Sequence, residues 1–365
     1  MMKLDSAVFE QVPQSLRSVP SIIKNGSYAY QDPYKGRYEP APVEAYVVKH
    51  DHELRLDSLT HWVPTCHLWR NSTTSPYYEQ LHQFIHELDD YYDLVNSFTL
   101  PGNSGNNYNL RQHIIEHNNH DICDQLKLHP EGLPGIFSKS RQLSLGASGW
   151  MEPLLPPMRH PKFCFKGREY LLAQEYLIHD FQALCHKLKP HSRTVFVDMG
   201  ASPFFHLETG QNAPSPTLFL LDLFRKFGIQ FDHVYAYEMR QYPPQLVFQH
   251  LPRHLASSYH WINVPVSDDP NSHQNPFKMI QDNFNQDDLI IVKLDIDTAP
   301  LERKLANQLL HSPKLTKLID HFYFEHHVNQ QELQYDWVYV TESVADSMNL
   351  FHALREKGVS AHFWV

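Results

Sequence analysis

The chain carries no dense Lys/Arg block, and its formal net charge is −10. Nucleic acid is therefore not its expected main partner, because phosphate binding needs basic patches. Long apolar runs are also missing. The most apolar stretch near the start, Val19-Pro20-Ser21-Ile22-Ile23-Lys24, is too short and broken for a signal core or a membrane span. A soluble chain without a membrane span is expected, with the cytoplasm favoured. Cysteine is sparse: Cys66, Cys123, Cys164 and Cys185 are far apart with no CxxC, which argues against a zinc knuckle. Reduced thiols are the simpler expectation, although an even number leaves disulfides open. Asn25-Gly-Ser and Asn71-Ser-Thr are glycosylation sequons and keep a secretory route open. Repeats and low-complexity segments are absent.

What is present is globular: 365 residues, 20% charged and 13% aromatic, enough for one large domain or two. Twenty-six His residues would reduce the negative charge below about pH 6.5. Residues 1 to about 70 are rich in Pro, Tyr and polar groups without a sustained period and read as an irregular arm. Ser75-Pro76 reads as an N-cap and first turn. Leu81, Phe84, Ile85, Leu88, Tyr92 and Val95 follow at helical spacing. Pro101–Asn107 reads as a loop. A second helix is expected over Leu110–Leu126, with Ile114, Ile115, Ile122 and Leu126 inward. The Pro/Gly-rich stretch Gly132–Pro161 precedes a boundary, giving an irregular and helical region 1–165 and an α/β domain 166–365.

From Arg168 the pattern alternates helix and strand, the signature of a mainly parallel sheet. A helix over Glu169–Leu188 would bury Leu171, Leu172, Ile178, Phe181 and Leu184. Strands are expected at Thr194–Met199, His233–Glu238, His260–Val266, Leu289–Ile296 and Leu318–Glu325. For the last strand, Val359–Val365, an antiparallel direction is left open. Ser215-Pro216 should start a helix that Gly228 ends, Thr298 should cap another through Leu309, and Ser343–Lys357 should form the last.

Two segments carry chemistry. In Thr194–Ser202 (TVFVDMGAS), a buried strand delivers Asp198 to the sheet edge, and small Gly200, Ala201 and Ser202 let the backbone pass close to a ligand. In Leu289–Glu302 (LIIVKLDIDTAPLE), a second apolar strand ends in Asp295 and Asp297. Glu238 ends the strand between them, where a carboxylate can accept both hydroxyls of a ribose. It lies about 40 residues beyond Asp198, twice the ~20 usual for such units. The extra length is an insertion, Phe204–Ser215, placed to form a lid over the pocket or to cover it.

These stretches, VFVDMGAS and IVKLDIDTAPLE, together with the acid-terminated IDHFYFEHH, resemble the FkbM-like branch of the class I S-adenosylmethionine-dependent methyltransferases. The resemblance spans about Arg168 to Val365. It implies a Rossmann-like methyltransferase domain with a mostly parallel central sheet, preceded by the irregular and helical region. It also implies S-adenosyl-L-methionine as cofactor, with Asp198, Gly200, Ala201, Ser202, Glu238, Ser267, Asp268 and Asp295 as its binding residues. Ser202-Pro203-Phe204-Phe205 stands where the family carries further glycines.

Alternation along a strand places Asp295 and Asp297 on one side. With Glu325, His326 and His327 from the neighbouring strand, they would meet at the sheet edge. Asp297, His326 and His327 are the candidate catalytic residues, one of them a base for an acceptor hydroxyl. Asp295, Asp297, Glu325 and His326 are the candidate ligands for Mg²⁺ or Mn²⁺. Lys293, charged inside an apolar strand, reads as structural, pairing with an acid such as Glu325 or reaching a strand edge. His206 and Glu208 in the insertion are placed to touch substrate, while His113, His117 and His120 read as solvent-facing. The expected activity is O-methylation of a small molecule or sugar hydroxyl, the partner being that small-molecule or glycan acceptor. A metal-dependent glycosyltransferase using Asp-Ile-Asp, or a non-catalytic binding protein on the same fold, are the alternatives.

Overall fold

The computed structural model describes residues 38–50, 62–70, 78–100, 108–128, 136–140, 149–203, 215–249, 251–337, 340 and 342–365. Ser75-Pro76, the Pro101–Asn107 loop, both sequons and residues 204–214 of the insertion lie outside that set. Residues 36–365 form one compact unit.

Six strands make its central sheet: β1 (Thr194–Met199), β2 (His233–Tyr237), β3 (Tyr259–Ile262), β4 (Leu289–Leu294), β5 (His321–Phe324) and β6 (Ser360–Phe363). The order is β3-β2-β1-β4-β5-β6, and every neighbouring pair is parallel. This is the doubly wound arrangement of a Rossmann-like α/β fold. The direction left open for the last strand is parallel: β6 pairs with β5 from His321↔Ser360 to Phe324↔Phe363. All residues of β1 and β4 are buried, which explains why their sequences run apolar rather than alternating.

Helix α1 (Pro216–Lys226) starts where Ser215 accepts the Leu218 amide and Pro216 fills the first turn. It ends at Gly228, whose φ of +78° suits glycine alone among common residues. Helix α2 (Pro276–Asn283) is capped by Asn275, and α4 (Val344–Glu356) by a reciprocal Ser343–Asp346 pair. Helix α3 (Ala299–His311) departs from expectation, because the Thr298 side chain makes no cap. Its hydroxyl donates to Ile296 O, and Glu302 reaches back to accept the Ile296 amide at 2.7 Å.

Tertiary contacts override local pattern elsewhere. The expected helix 169–188 is instead a short 3-10 turn, Arg168–Tyr170, and a helix at Phe181–Lys187. Glu152 takes the Ile178 amide at 3.0 Å, and Asp180 caps the later start, so Leu172 is left 54% exposed. The helix expected over 110–126 breaks at Asn118, which turns left-handed (φ 47°), and Ile115 faces out. The early segment is less irregular than its composition suggests. Tyr38–Glu39 pairs with Ser138–Ser140 in a small three-stranded sheet, and Pro42–His50 is helical.

The four cysteines are bridged, not reduced: Cys66 to Cys164 and Cys123 to Cys185. A second tie is polar and fully buried. Arg355 on α4 reaches Glu152 (3.0 Å), the Tyr38 hydroxyl (2.7 Å) and Ala361 O (2.9 Å). Glu44 accepts from Tyr38, Ser138 and the Leu154 amide. Among the described residues, no helix is long and apolar enough to cross a membrane.

Candidate functional site

The sheet order reverses between β1 and β4, and a cleft of about 480 Å³ opens there at the carboxyl edge. Its lining includes Gly200, Ser202, Glu238, Lys293, Asp295, Asp297 and Glu325. Apolar wall is supplied by Met239, the Val264–Val266 segment, Leu301 and Trp364. That segment was expected to continue β3, but Pro265 cannot donate to a ladder, and the strand stops at Ile262.

Gly200 forms the closest approach in the cleft. Its φ is +92°, and a Cβ there would lie 1.5 Å from the Asp295 carbonyl oxygen. Only glycine lets the turn after β1 cross the end of β4. The Gly200 and Ala201 amides both donate to Tyr237 O, at 3.0 and 2.9 Å, so they hold β2.

Asp198 is buried beneath the cleft rather than lining it. It accepts from Lys293 Nζ at 2.9 Å, and the same ammonium lies 3.1 Å from Asp295. Lys293 thus pairs with Asp198 and Asp295, not with Glu325. Burial would depress the ammonium, but the two carboxylates outweigh it and hold its pKa above the usual lysine value. Asp295 behaves oppositely: burial pushes its carboxyl up to about 7, Lys293 opposes this, and Glu325 and Asp297 add to it.

Glu238 lines the cleft at the end of β2, its backbone amide bonded to Ile262 O and one carboxylate oxygen taking the Arg240 amide. Partial burial raises its pKa. Ser267 and Asp268 lie beyond the lining residues, where Asp268 pairs with Lys304 at 2.8 Å.

Asp295 and Asp297 both reach the cleft, but not through strand alternation. Strand β4 ends at Leu294, and Asp297 sits in a left-handed turn (φ 55°) with an exposed side chain. Beyond β5, the two histidines part. His326 is turned away, bonded to Ser347 (3.0 Å) and Glu342 (2.6 Å). The ring of His327 is buried against Trp337, and its Nε2 is 3.3 Å from Glu325 and 4.0 Å from Asp297. Ligand atoms of Asp297, Glu325 and His327 all lie within 4.8 Å of one another.

Glu325 is braced by Arg159 at 2.7 Å and Trp337 Nε1 at 3.1 Å. Burial would raise its pKa, but the His327 hydrogen bond and Arg159 bring it down to about 2. Two residues outside the sequence-derived set belong here. Arg159 fixes Glu325, and Glu302, fully buried with its pKa pushed up to about 8 by burial, stands behind the cluster. Glu302 was visible as an acid in a helical first turn; Arg159, in the Pro-rich stretch, gave no signal.

Fold and cleft define a Rossmann-like α/β protein with an open crevice at its topological switch point. No family model, curated protein or solved structure matches the chain.

Proposed function

We propose that this protein is an S-adenosylmethionine-dependent O-methyltransferase acting on a hydroxyl of a small molecule or glycan. The observation that carries the reading is Glu238, a carboxylate at the end of the second strand in the same cleft as the Gly200 turn. A ribose offers two adjacent hydroxyl donors to such a group. Met239 and Val264–Val266 supply apolar wall beside it for a base.

The charge of the cleft favours this cofactor over a pyrophosphate-bearing one. Four carboxylates, Glu238, Asp295, Asp297 and Glu325, line it against two cations, Arg240 and Lys293, and Lys293 is already shared by Asp198 and Asp295. Such a field repels phosphate and attracts a cation. S-adenosylmethionine is a cationic sulfonium that brings an activated methyl group. The chain would orient the acceptor hydroxyl and exclude water, which is catalysis by proximity. Asp297 or His327 would take the hydroxyl proton, whereas His326 is occupied by Glu342 and Ser347. The glycosyltransferase alternative draws on Asp295, which Lys293 holds.

The two cystine bridges bear on compartment. Disulfides persist in oxidising surroundings, so folding in the secretory route is preferred to the cytoplasm.

Calorimetry with S-adenosylmethionine, NAD⁺ and a uridine-diphosphate sugar tests the function. Saturable binding of the first alone is expected, with Glu238→Ala weakening it about ten- to a hundredfold, or roughly 1.5–3 kcal/mol. Equal binding by the variant would place the cofactor elsewhere, and preference for the sugar nucleotide would favour the glycosyltransferase alternative.

A further inference from the structure

The geometry points to a divalent-cation site built by Asp297, Glu325 and His327, and we propose Mn²⁺ as the ion it takes. The inference shares Asp297 and His327 with the proton-accepting role proposed above, but it concerns ion binding alone and is read without cofactor or methyl transfer. Ligands about 2.0–2.3 Å from a metal ion lie roughly 3–4.5 Å from one another. His327 Nε2 is 3.3 Å from Glu325 Oε2 and 4.0 Å from Asp297 Oδ1. These separations suit an ion shared by the three groups.

The set differs from the one that sequence alone offers. Asp295 is committed to Lys293, and His326 to Glu342 and Ser347. Glu325 is poised for ligation: one oxygen takes Arg159 and Trp337, which leaves Oε2 turned toward His327. His327 is held by stacking on Trp337, with ring centroids 5.3 Å apart and planes 20° from parallel. A ring fixed by packing gives the ligand a defined direction before any ion arrives.

A second observation points to an unsatisfied polar group behind the cluster. Glu302 is fully buried, and its Oε2 has no hydrogen-bond partner among the described residues. Its electrostatic neighbours are His327, Asp295 and Glu325. Asp295, Asp297 and Glu325 thus converge in front of Glu302, whose own carboxyl is held toward the neutral form by burial, while the cations paired with them are Lys293, shared with Asp198, and Arg159. A divalent ion would offset the surplus and be held by one imidazole and two carboxylates, a donor set that suits Mn²⁺ better than Mg²⁺. Asp297 and Glu325 line the cleft, so the ion would border it and could take an acceptor oxygen as a further ligand.

The test uses the full chain, stripped with EDTA, dialysed, and titrated with MnCl₂ in a calorimeter without S-adenosylmethionine. One saturable ion per chain is expected, together with a rise in melting temperature. Asp297→Asn keeps the left-handed turn and changes only an exposed group, so its melting temperature in EDTA should match wild type while its Mn²⁺ affinity falls at least about tenfold. His327→Gln should weaken binding in the same sense, and a distant acidic control, Asp282→Asn, should not. Absence of saturable Mn²⁺ uptake by wild type, or wild-type affinity in Asp297→Asn, overturns the site. Because cofactor is left out, neither result depends on whether S-adenosylmethionine binds.

Discussion

Lys293 Nζ sits 2.9 Å from Asp198 Oδ1, and both side chains are almost wholly buried. This ion pair joins the two central strands directly under the cleft, and its third member, Asp295, carries the charge up to the cleft wall. A buried cation between two carboxylates locks the ends of β1 and β4 in one arrangement. Asp198, which sequence reasoning assigns to ligand contact, reaches the cleft only through that lysine.

Replacing Lys293 by methionine should therefore be costly. Removing one partner of a buried pair strands the other charge, and the loss expected is about 3–5 kcal/mol. Urea unfolding measures it. The double variant Lys293→Met with Asp198→Asn should recover part of the loss; no recovery would mean that packing, not charge, governs the position.

Gly200→Ala should distort the cleft more than its size suggests. The new methyl would collide with the Asp295 carbonyl, and φ of +92° disfavours any side chain. A destabilisation of about 1–3 kcal/mol is expected from the strained conformation. Ligand binding should fall further than that, because the turn must move away from β4. A variant with wild-type melting and wild-type binding would show that the turn has room to relax.

Acid should destabilise the protein through its buried histidines. Burial lowers His160 from 6.5 to about 4, with Lys162 adding to the effect, and puts His179 and His362 well below the usual value. These rings are neutral in the fold but take a proton in the unfolded chain below about pH 6.5. Their contribution is thus fully present above about 6.5 and lost as pH falls toward 4. Melting temperatures between pH 7 and 4 should drop steadily, and His160→Gln should flatten part of the slope. A flat profile would contradict the argument.

The sheet was legible because fully buried parallel strands read as apolar runs, and TVFVDM and LIIVKL are such runs. Its edges were less so. The direction of Ser360–Phe363 depends on how the chain crosses over from β5, which no local pattern records. Lys293 was recognised as needing an acid, but Asp198 lies 95 residues away in sequence and only the sheet register brings them together. The two adjacent histidines illustrate the same limit. Neighbouring residues in extended chain point to opposite sides, so only one of His326 and His327 could face the cluster, and packing against Trp337 decides which. The helix expected over 169–188 failed because Glu152, from a distant segment, captures an amide that the helix would have used.

The Cys66–Cys164 bridge closes a span of 98 residues, and the Cys123–Cys185 bridge begins inside it and ends beyond it. Interleaved in this way, the two links leave every backbone position from 67 to 184 within at least one covalent ring. A protease that cut once in that span would leave both pieces fastened together, and the break would show only after a reductant was added.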